Sequence, residues 1–386
     1  MLRNDCDVHV SPIVNEEWWN ANVIYSRFRR QGIDIICASF QHKLTSGSSS
    51  GRANIIFLTG LTESFIKYSE TIQYLFNKGF NVFTYDHQSQ GLSGRWLAET
   101  QSLWIHSFED YVDDFVYFVT TIAKEYPTMS TYLLAHSMGG LIASIAMSRQ
   151  PTLINRAVLC APMFRNKCGM KALDFRYPMP QPLAYWITSL MCYAGFGTRH
   201  AVGFFKEKQS DKLHINVVTS DQLQLDKWRA LRCRYPQLVS TCVTNDWVLH
   251  SIRAQKKFAT RYEFVRTNTL VLSAERDLLV YNRALQAFVS KAPASRLLEV
   301  PGAYHELLFE APAIREAVLR AVSDFFSQRS DDVKLLQAPT PLQEPHRALP
   351  FSWPEVLFRA AGVMLASAGI VAGIALMVGG RGRHTS

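Results

Sequence analysis

Residues 132–141 read YLLAHSMGGL and lie between two stretches with a helical pattern. Apolar strand-forming residues precede Ser137 and small residues follow it, which predicts a sharp turn from a strand into a helix that exposes the serine hydroxyl. A nucleophilic serine is typical of such a turn. The glycine that usually stands two positions before the serine is replaced by Ala135, so an ordinary strand-to-helix turn is the alternative.

Strand-like and helical stretches alternate along residues 22–328, which predicts an α/β domain with a mostly parallel sheet and helices on both faces. Residues 164–262 depart from this alternation because they are helical and aromatic, and we expect them to form a cap over the carboxyl ends of the strands. Residues 1–21 are an N-terminal extension. The expected strands are 32–44, 52–60, 81–87, 131–136, 155–161, 268–274 and 296–300.

The net charge of +9 is spread along the chain, with local basic clusters at 26–32 and 254–266. Basic residues on a solvent-exposed surface are the simple explanation of such clusters. Attraction to an anionic membrane surface is the more specific alternative. No nucleic-acid-binding motif accompanies the charge, so nucleic acid is not an expected partner. The seven cysteines show no paired spacing and the N-terminus has no apolar leader, which favours a domain that faces the cytosol.

The C-terminal part of the chain has a different composition. Residues 329–354 contain five prolines and predict an extended linker. The stretch 360–379 holds twenty residues without a charge, which is long enough to cross roughly 30 Å of hydrocarbon. We therefore expect a transmembrane helix at 358–380 and a basic tail at 381–386, so that the C-terminus anchors the domain to a membrane. A buried core helix is the alternative.

Gly369 and Gly373 lie four residues apart within the predicted membrane helix. Small residues at this spacing let two membrane helices approach closely, which makes a homodimer one expected assembly. Membrane helices are rich in glycine in any case, so composition also explains the pair. Arginines flank both ends of the stretch, and their balance does not fix the direction in which the helix crosses.

Two candidate partners for Ser137 follow it in the chain. A serine hydroxyl is a weak nucleophile unless a neighbouring base takes its proton and a third group orients that base. Asp277 and His305 each stand just beyond a predicted strand. The order serine, aspartate, histidine is the order that an α/β-hydrolase fold requires, so these three residues are predicted to form a catalytic triad. Glu275 is the competing acid, and each residue taken singly is also explained as an ordinary loop residue.

Acyl transfer also needs a pair of backbone N–H groups that hold the negative charge of the transition state. The N–H of Met138, the residue after the candidate nucleophile, is one expected donor. The other is expected from the loop after strand 52–60, with Leu61 as the first candidate, because Gly60 lets the backbone bend there.

Seven segments of the sequence form a recognisable series: GLTESFIKYSE (60–70), YDHQSQGLSGR (85–95), YVDDF (111–115), LLAHSMGG (133–140), APMF (161–164), NDWVLHSI (245–252) and GAYHELLFE (302–310). In this order they resemble the lysophospholipase and monoacylglycerol lipase-like branch of the α/β-hydrolase superfamily, in particular the bacterial inner-membrane lysophospholipases. The resemblance runs from about residue 18 to residue 328 and includes the cap.

The resemblance implies a serine hydrolase that cleaves the acyl ester of lysophospholipids or monoacylglycerols, with the same triad and the same two oxyanion amides. TGLTES (59–64) stands where monoacylglycerol lipases usually carry His-Gly-x-Gly-Glu-His, which favours the lysophospholipase side of the branch. Gln88 stands where an arginine is common in the family. The C-terminal linker and apolar stretch fall outside the resemblance.

Carboxylesterase or acyltransferase activity is the alternative among enzymes, and a membrane-tethered binding protein without catalysis is the alternative outside them. No His/Cys cluster has the spacing of a metal site and no glycine-rich phosphate loop follows a strand, so neither a metal nor an organic cofactor is expected. A lipid substrate and a membrane are the expected partners. Apolar cap residues are candidates to line an acyl channel, with packing inside the cap as the alternative: Leu183, Trp186, Leu190, Met191 and Phe196.

Overall fold

The computed structural model describes residues 2–3, 8–42, 52–168, 179–201 and 218–327. The chain divides into two units, Met1–Pro339 and Thr340–Ser386, and every described residue lies in the first. The predicted linker, transmembrane helix and basic tail lie outside the described residues. Within the described part, no helix is long and apolar enough to span a bilayer.

The described residues contain a mostly parallel sheet, as the alternating sequence pattern predicts. The strands are β1 (Val23–Arg30), β2 (Ile33–Phe40), β3 (Asn54–Leu58), β4 (Asn81–Tyr85), β5 (Ser102–Leu103), β6 (Thr131–His136), β7 (Arg156–Cys160), β8 (Cys242–Val243), β9 (Asn268–Ala274) and β10 (Ser295–Val300). Eight of them form one sheet in the order β1-β2-β4-β3-β6-β7-β9-β10, and β5 pairs with β8 separately. β2 runs antiparallel to both of its neighbours, and the other pairs of the large sheet are parallel.

Helices follow most strands along the described chain. They are α1 (Glu16–Asn22), α2 (Ser69–Asn77), α3 (Phe108–Glu125), α4 (Ser137–Arg149), α5 (Gln181–Tyr193), α6 (Gln222–Arg234), α7 (Asn245–Ala259), α8 (Asn282–Val289) and α9 (Pro312–Phe326). Helices α5, α6 and α7 lie between β7 and β9, in the region where the cap is expected. A capping box fixes the start of α3, because the Ser107 side chain accepts the Glu109 N–H and the Asp110 side chain accepts the Ser107 N–H.

The sheet is covered by helices on both faces. In β6, Leu133 and Ala135 pack into a core cluster that includes residues of α3, α4 and α8. The residue between them, Leu134, packs into a second cluster that includes residues of α2 and α9. Successive side chains of a strand point to opposite faces, so a strand covered on both faces needs an unbroken apolar run. This explains the apolar run that precedes Ser137.

The first strand is not apparent from the sequence, because β1 overlaps the basic cluster at 26–32. It lies at the edge of the sheet, where it pairs with β2 along its length and forms a single antiparallel bridge from Arg27 to Arg3. Ser26 and Phe28 are buried. The side chain of Arg27 points to the other face of the strand, is half-buried and contacts Asp34 of β2 with an N–O distance of 3.2 Å. An edge strand tolerates such charges, and they hide its alternating pattern.

Candidate active site

Ser137 stands at the junction of β6 and α4 with a backbone φ of 47°. This left-handed conformation is unfavourable for a residue with a side chain, and strain of this kind concentrates at functional turns. Ser137 is 6% exposed and lies on the wall of a cavity. Ala135 is fully buried and paired in the sheet with Leu58 and Leu159, so its methyl group is accommodated before the turn. The junction has the geometry of a nucleophile elbow.

Two glycines after Ser137 allow α4 to lie close to its neighbours. A Cβ on Gly139 would be 2.6 Å from the Thr59 carbonyl oxygen, which follows β3. A Cβ on Gly140 would be 2.7 Å from the Cβ of Pro162. Both distances are too short for non-bonded atoms, so a larger residue at either position would push α4 away. Gly139 therefore allows the first turn of α4 to lie against the end of β3, and Gly140 allows it to lie against the segment after β7.

Hydrogen bonds join Ser137, His305 and Asp277 in a chain. His305 Nε2 lies 2.9 Å from Ser137 Oγ, and His305 Nδ1 lies 2.7 Å from Asp277 Oδ2. A carboxylate can only accept, so Nδ1–H donates to Asp277 and the neutral ring offers Nε2 to the serine proton. Asp277 Oδ1 accepts the N–H groups of Leu279 and Val280 at 2.8 and 2.9 Å, which fix the carboxylate. The arrangement can pass the Ser137 proton to His305.

The three residues meet because each follows a parallel strand at the same edge of the sheet. Ser137 follows β6, Asp277 follows β9 and His305 follows β10. Glu275, the competing acid, is exposed and accepts the Gly302 N–H at 2.6 Å instead. Of the two acids, Asp277 is therefore the one that contacts His305.

The pKa values of the pair depend on each other. Burial alone would lower the pKa of His305, but the charge and hydrogen bond of Asp277 outweigh it and raise this pKa above its ordinary value. Burial would raise the pKa of Asp277, and the neighbouring His305 instead lowers it. The pair thus favours an ionised aspartate beside an imidazole of increased basicity, which suits a general base.

The two residues predicted to supply the oxyanion amides both lie next to Ser137. Met138 is fully buried in the first turn of α4, where backbone N–H groups have no partner within the helix. Leu61 lies on the wall of the same cavity as Ser137, and its N–H donates to no acceptor among the described residues. A Cβ on Gly60 would be 3.2 Å from the Cβ of Ser137, so the loop passes directly beside the serine. The role of both amides stays a prediction.

No sequence pattern singles out the charged side chains that are buried beside the triad. Lys67 Nζ contacts Glu63 Oε1 at 2.8 Å and Glu306 Oε2 at 2.7 Å. Burial would raise the pKa of Glu63, but Lys67 lowers it, whereas burial raises the pKa of Glu306 despite the same lysine. Two features of the sequence could have pointed to this cluster: Glu63 and Lys67 are four residues apart, and Glu306 is adjacent to His305. Both are common on solvated surfaces, so neither indicates a buried cluster.

The same cluster contains potential metal ligands. Glu63, His136 and Glu306 offer ligand atoms within 4.8 Å of one another. The ammonium of Lys67 contacts both carboxyl groups, so an internal cation already offsets part of their charge. Burial lowers the pKa of His136 to about 4, which keeps this imidazole neutral beside the cluster.

A cavity of about 350 Å³ includes Ser137 and His305 in its wall. Most of the wall is apolar, and α5 contributes Ala184, Ile187 and Thr188 on one helical face. Elements of the predicted cap therefore close the space in front of the triad. The other apolar residues of the wall, in the described part of the chain, include Met163, Met179, Ala201, Val218, Leu225, Trp228, Val243, Trp247, Leu279 and Val280.

The cap residues predicted to line an acyl channel are not among the described residues on the wall of this cavity, and their role stays a prediction. Leu183, Trp186 and Leu190 occupy the opposite face of α5 and are 47%, 72% and 51% exposed. Met191 and Phe196 are half-buried away from the wall. Helix α5 is apolar around most of its circumference, so its sequence does not reveal which face turns inward.

Residues 49–312 match the family described as serine aminopeptidase, S33. Among curated proteins, the chain is 31% identical over 283 residues to lysophospholipase L2 of Escherichia coli (strain K12), covering 72% of this chain and 81% of the relative. It is 32% identical over 284 residues to monoglyceride lipase of Rattus norvegicus, covering 73% of this chain and 84% of that protein.

Solved structures show the same fold. A soluble variant of monoglyceride lipase from Saccharomyces cerevisiae superimposes with a TM-score of 0.60 at 14% identity, over 79% of this chain and 95% of that one. A carboxyl esterase from Bacillus coagulans superimposes with a TM-score of 0.61 at 14% identity, over 80% and 98%. Together with the strand order, these similarities confirm the predicted α/β-hydrolase fold.

Proposed function

Because the chain belongs to the S33 family of α/β-hydrolases, in the branch of the lysophospholipases and monoglyceride lipases, we propose that it cleaves the acyl ester of a single-chain glycerolipid. Lysophospholipids and monoacylglycerols are the two substrate classes. The observation that carries the proposal is the hydrogen-bonded chain of Ser137, His305 and Asp277 on the wall of an apolar cavity.

The proposed reaction begins when His305 Nε2 takes the Ser137 proton and Oγ attacks the ester carbonyl carbon. The oxyanion that forms accepts hydrogen bonds from the Leu61 and Met138 amides, and Asp277 stabilises the imidazolium. His305 then protonates the departing glycerol or glycerophospho alcohol as the ester C–O bond breaks. A water molecule, deprotonated by the same imidazole, hydrolyses the acyl-enzyme and releases the fatty acid.

The polar part of the cavity wall favours a phosphate-bearing headgroup. Helix α6 places Arg229 and Arg232 on the wall, together with Trp228 and Leu225 of the same face. Lys167 also lies on the wall, where its ammonium donates to the Asp277 carbonyl oxygen at 2.6 Å. In the described part of the wall the acidic residues are Glu63 and Glu306, and Lys67 contacts both of them. Arg229 also pairs with Asp226 at 2.8 Å, so the cations of the wall exceed the acids by a small margin, which suits a phosphate diester.

Hydrolysis of a lipid panel by the full-length chain in detergent tests the proposal. Lysophosphatidylethanolamine, lysophosphatidylglycerol and monoacylglycerols of one acyl length should release fatty acid, and a short-chain soluble ester should react with lower kcat/KM. Preference for the short ester would indicate a general carboxylesterase. Transfer of the acyl group to added glycerol in place of water would indicate an acyltransferase, and no turnover with any ester would indicate a binding protein.

A comparison of two arginines on α6 tests the headgroup preference. Arg232→Gln should lower kcat/KM for lysophospholipids by about tenfold, the loss of one charge-assisted hydrogen bond, and leave monoacylglycerol hydrolysis unchanged. Arg234→Gln is the matched control, because Arg234 lies on the same helix but pairs with Glu16 at 3.1 Å outside the cavity wall. Equal losses in the two variants would contradict the preference.

We also propose that residues 358–380 tether the enzyme to the bilayer that contains its substrate. Tethering raises the local concentration of substrate without new contacts at the site. The apolar composition of 360–379 supports this proposal. The full-length chain should remain in the membrane fraction after carbonate extraction, and a chain truncated after residue 327 should be released. A full-length chain that is extracted by carbonate would contradict the anchor.

A further inference from the structure

We propose that Lys67 is a positioning residue of the active site. Its buried ammonium contacts Glu63 and Glu306, and through them it holds the oxyanion loop (residues 60–63) and the segment that carries His305 in position relative to Ser137. The inference rests on the proposed function only in that it needs an ester-cleaving serine; it does not depend on which lipid is cleaved.

The three charged side chains are buried to a degree that is unusual for ions. The side chains of Lys67, Glu63 and Glu306 are 3%, 4% and 10% exposed. Lys67 Nζ also lies 4.5 Å from the centroid of the Phe309 ring, whose face attracts a cation. Burial of ions costs several kcal/mol per charge, and an apolar core of equal volume is often as stable. A role in positioning explains the cluster better than a contribution to stability.

At one end of the cluster, Glu63 holds the backbone just before Leu61. Glu63 Oε2 accepts the Gly60 N–H at 2.5 Å, while Glu63 Oε1 accepts the Tyr68 hydroxyl at 2.6 Å and the Lys67 ammonium. A Cβ on Gly60 would be 2.8 Å from Glu63 Oε2, so the carboxylate can approach residue 60 this closely only because that residue is glycine. The loop cannot shift without breaking a buried, charge-assisted hydrogen bond.

The loop is also held on the other side of Leu61. Gln90 Nε2 donates to the Gly60 carbonyl oxygen at 2.8 Å, and Gln90 Oε1 accepts the Thr62 N–H at 3.2 Å. The N–H groups of Gly60 and Thr62 are therefore occupied by protein acceptors, whereas the Leu61 N–H has none in the described part of the chain. This pattern leaves one amide of the loop available to an oxyanion.

At the other end of the cluster, Glu306 follows His305 directly in the chain. Its N–H donates to the Val218 carbonyl oxygen at 2.8 Å, and its carboxylate contacts the Lys67 ammonium at 2.7 Å. His136, the residue before Ser137, lies between the two ends: its Nε2 is 3.8 Å from Glu63 Oε1, and its ring centroid is 5.0 Å from that of His305. One ammonium thus connects the segments that carry the oxyanion amide and the base.

Loss of the Lys67 charge should impair the transition state more than substrate binding. Without it, two buried carboxyl groups face each other and the loop loses the cation that orients Glu63. The substrate ester in its ground state places little charge at the oxyanion position, so KM should change little. Removal of an oxyanion donor lowers kcat by about 10²- to 10³-fold, which sets the scale expected here.

The test uses the full-length chain in detergent with a soluble ester and a long-chain trifluoromethyl ketone, which adds Ser137 Oγ to form a stable oxyanion. Lys67→Met should lower kcat by about 10²-fold or more, keep KM within about threefold, and weaken ketone binding by the same factor as kcat/KM. Lys67→Arg keeps the charge and should recover most of the activity. The soluble ester separates this test from the proposed lipid substrate.

A partly buried cation in another ion pair provides the control. Arg315 is 13% exposed and pairs with Glu70 at 3.3 Å, away from the cavity wall. Arg315→Met should lower the thermal unfolding temperature without weakening ketone binding. The proposal is overturned if folded Lys67→Met retains kcat within about threefold of the unsubstituted chain, or if Arg315→Met weakens ketone binding equally. If Lys67→Met does not fold, Glu63→Gln keeps the shape of the side chain, and unchanged ketone binding in that variant overturns the proposal.

Discussion

His305 Nε2 lies 2.9 Å from Ser137 Oγ, although the two residues are 168 positions apart in the chain. They meet because β6 and β10 end at the same edge of the sheet, with β7 and β9 between them. A proton-transfer contact that depends on the positions of two strand ends is sensitive to small displacements. Substitutions that move either strand end should therefore lower kcat before they lower stability.

The acid of the triad can be tested with two neighbouring carboxylates. Asp277→Asn should lower kcat by about 10³- to 10⁴-fold, because the amide no longer holds His305 in the tautomer that presents an unprotonated Nε2. Glu275→Gln is the matched control, since Glu275 accepts the Gly302 N–H and it is Asp277, not Glu275, that contacts His305. Initial rates with a soluble ester measure both variants. Equal losses in the two variants would contradict the assignment of Asp277.

The pH dependence of kcat/KM should report the His305–Asp277 pair. Protonated His305 cannot take the Ser137 proton, so activity should fall as pH decreases through the pKa of His305. Asp277 raises this pKa, and the midpoint should therefore lie above the ordinary value of about 6.5. The same raised pKa stabilises the fold below about pH 6.5, and this contribution is lost as pH rises through the folded-state pKa.

Glu306 provides the control for the pH profile. Burial raises the pKa of Glu306 to about 7, so its carboxyl group is a second buried group beside the triad that could produce an acidic limb. Glu306→Gln removes that titration and should retain the acidic limb with a small shift to lower pH, because the charge of Glu306 also raises the pKa of His305. The residual activity of Asp277→Asn should show a larger shift to lower pH, because Asp277 is the main cause of the raised pKa. A limb that disappears in Glu306→Gln would assign the profile to Glu306 instead.

The close approach of α4 to β3 can be tested by adding a single methyl group at Gly139. In Gly139→Ala the new Cβ would meet the Thr59 carbonyl oxygen at 2.6 Å, and the resulting overpacking should cost about 1–3 kcal/mol of unfolding free energy. The shift of α4 also displaces the Met138 amide, so kcat should fall in the folded variant. Urea unfolding and initial rates measure the two effects. Ser144→Ala, a fully buried change further along α4, should preserve kcat.

A larger side chain should change the acyl-length preference on one face of α5 and not on the other. Ala184→Phe fills part of the cavity and should lower kcat/KM for long acyl chains by at least about tenfold relative to short ones. Leu183→Phe changes the neighbouring, exposed position and should leave the chain-length profile unaltered. The comparison uses esters of increasing acyl length. A change of profile in Leu183→Phe alone would show that the acyl chain follows another path.

The sequence alone predicts the sheet and the positions of the triad residues at strand ends. Unbroken apolar runs define buried parallel strands, and the order of Ser137, Asp277 and His305 restricts the fold. Edge strand β1 is missed because its alternation is masked by arginines. The face of α5 that lines the cavity is not apparent from the sequence, because a helix that is apolar around most of its circumference gives little information about its orientation.

The cluster around Lys67 is also beyond sequence-based prediction. Glu63 and Lys67 are four residues apart, a spacing that is equally typical of exposed ion pairs, and their burial depends on elements far along the chain. Glu306 reaches them from the segment after β10, and Phe309 covers the ammonium. Contacts between distant segments of this kind follow from the fold, not from local pattern.

Covalent labelling of Ser137 tests the central claim most directly. The full-length chain should gain one adduct from a fluorophosphonate probe, located by mass spectrometry on Ser137, and should release fatty acid from a lysophospholipid. Ser137→Ala should fold with an unchanged circular dichroism spectrum, gain no adduct at this position and lose ester hydrolysis to the background rate. Continued hydrolysis by a folded Ser137→Ala chain would contradict the account.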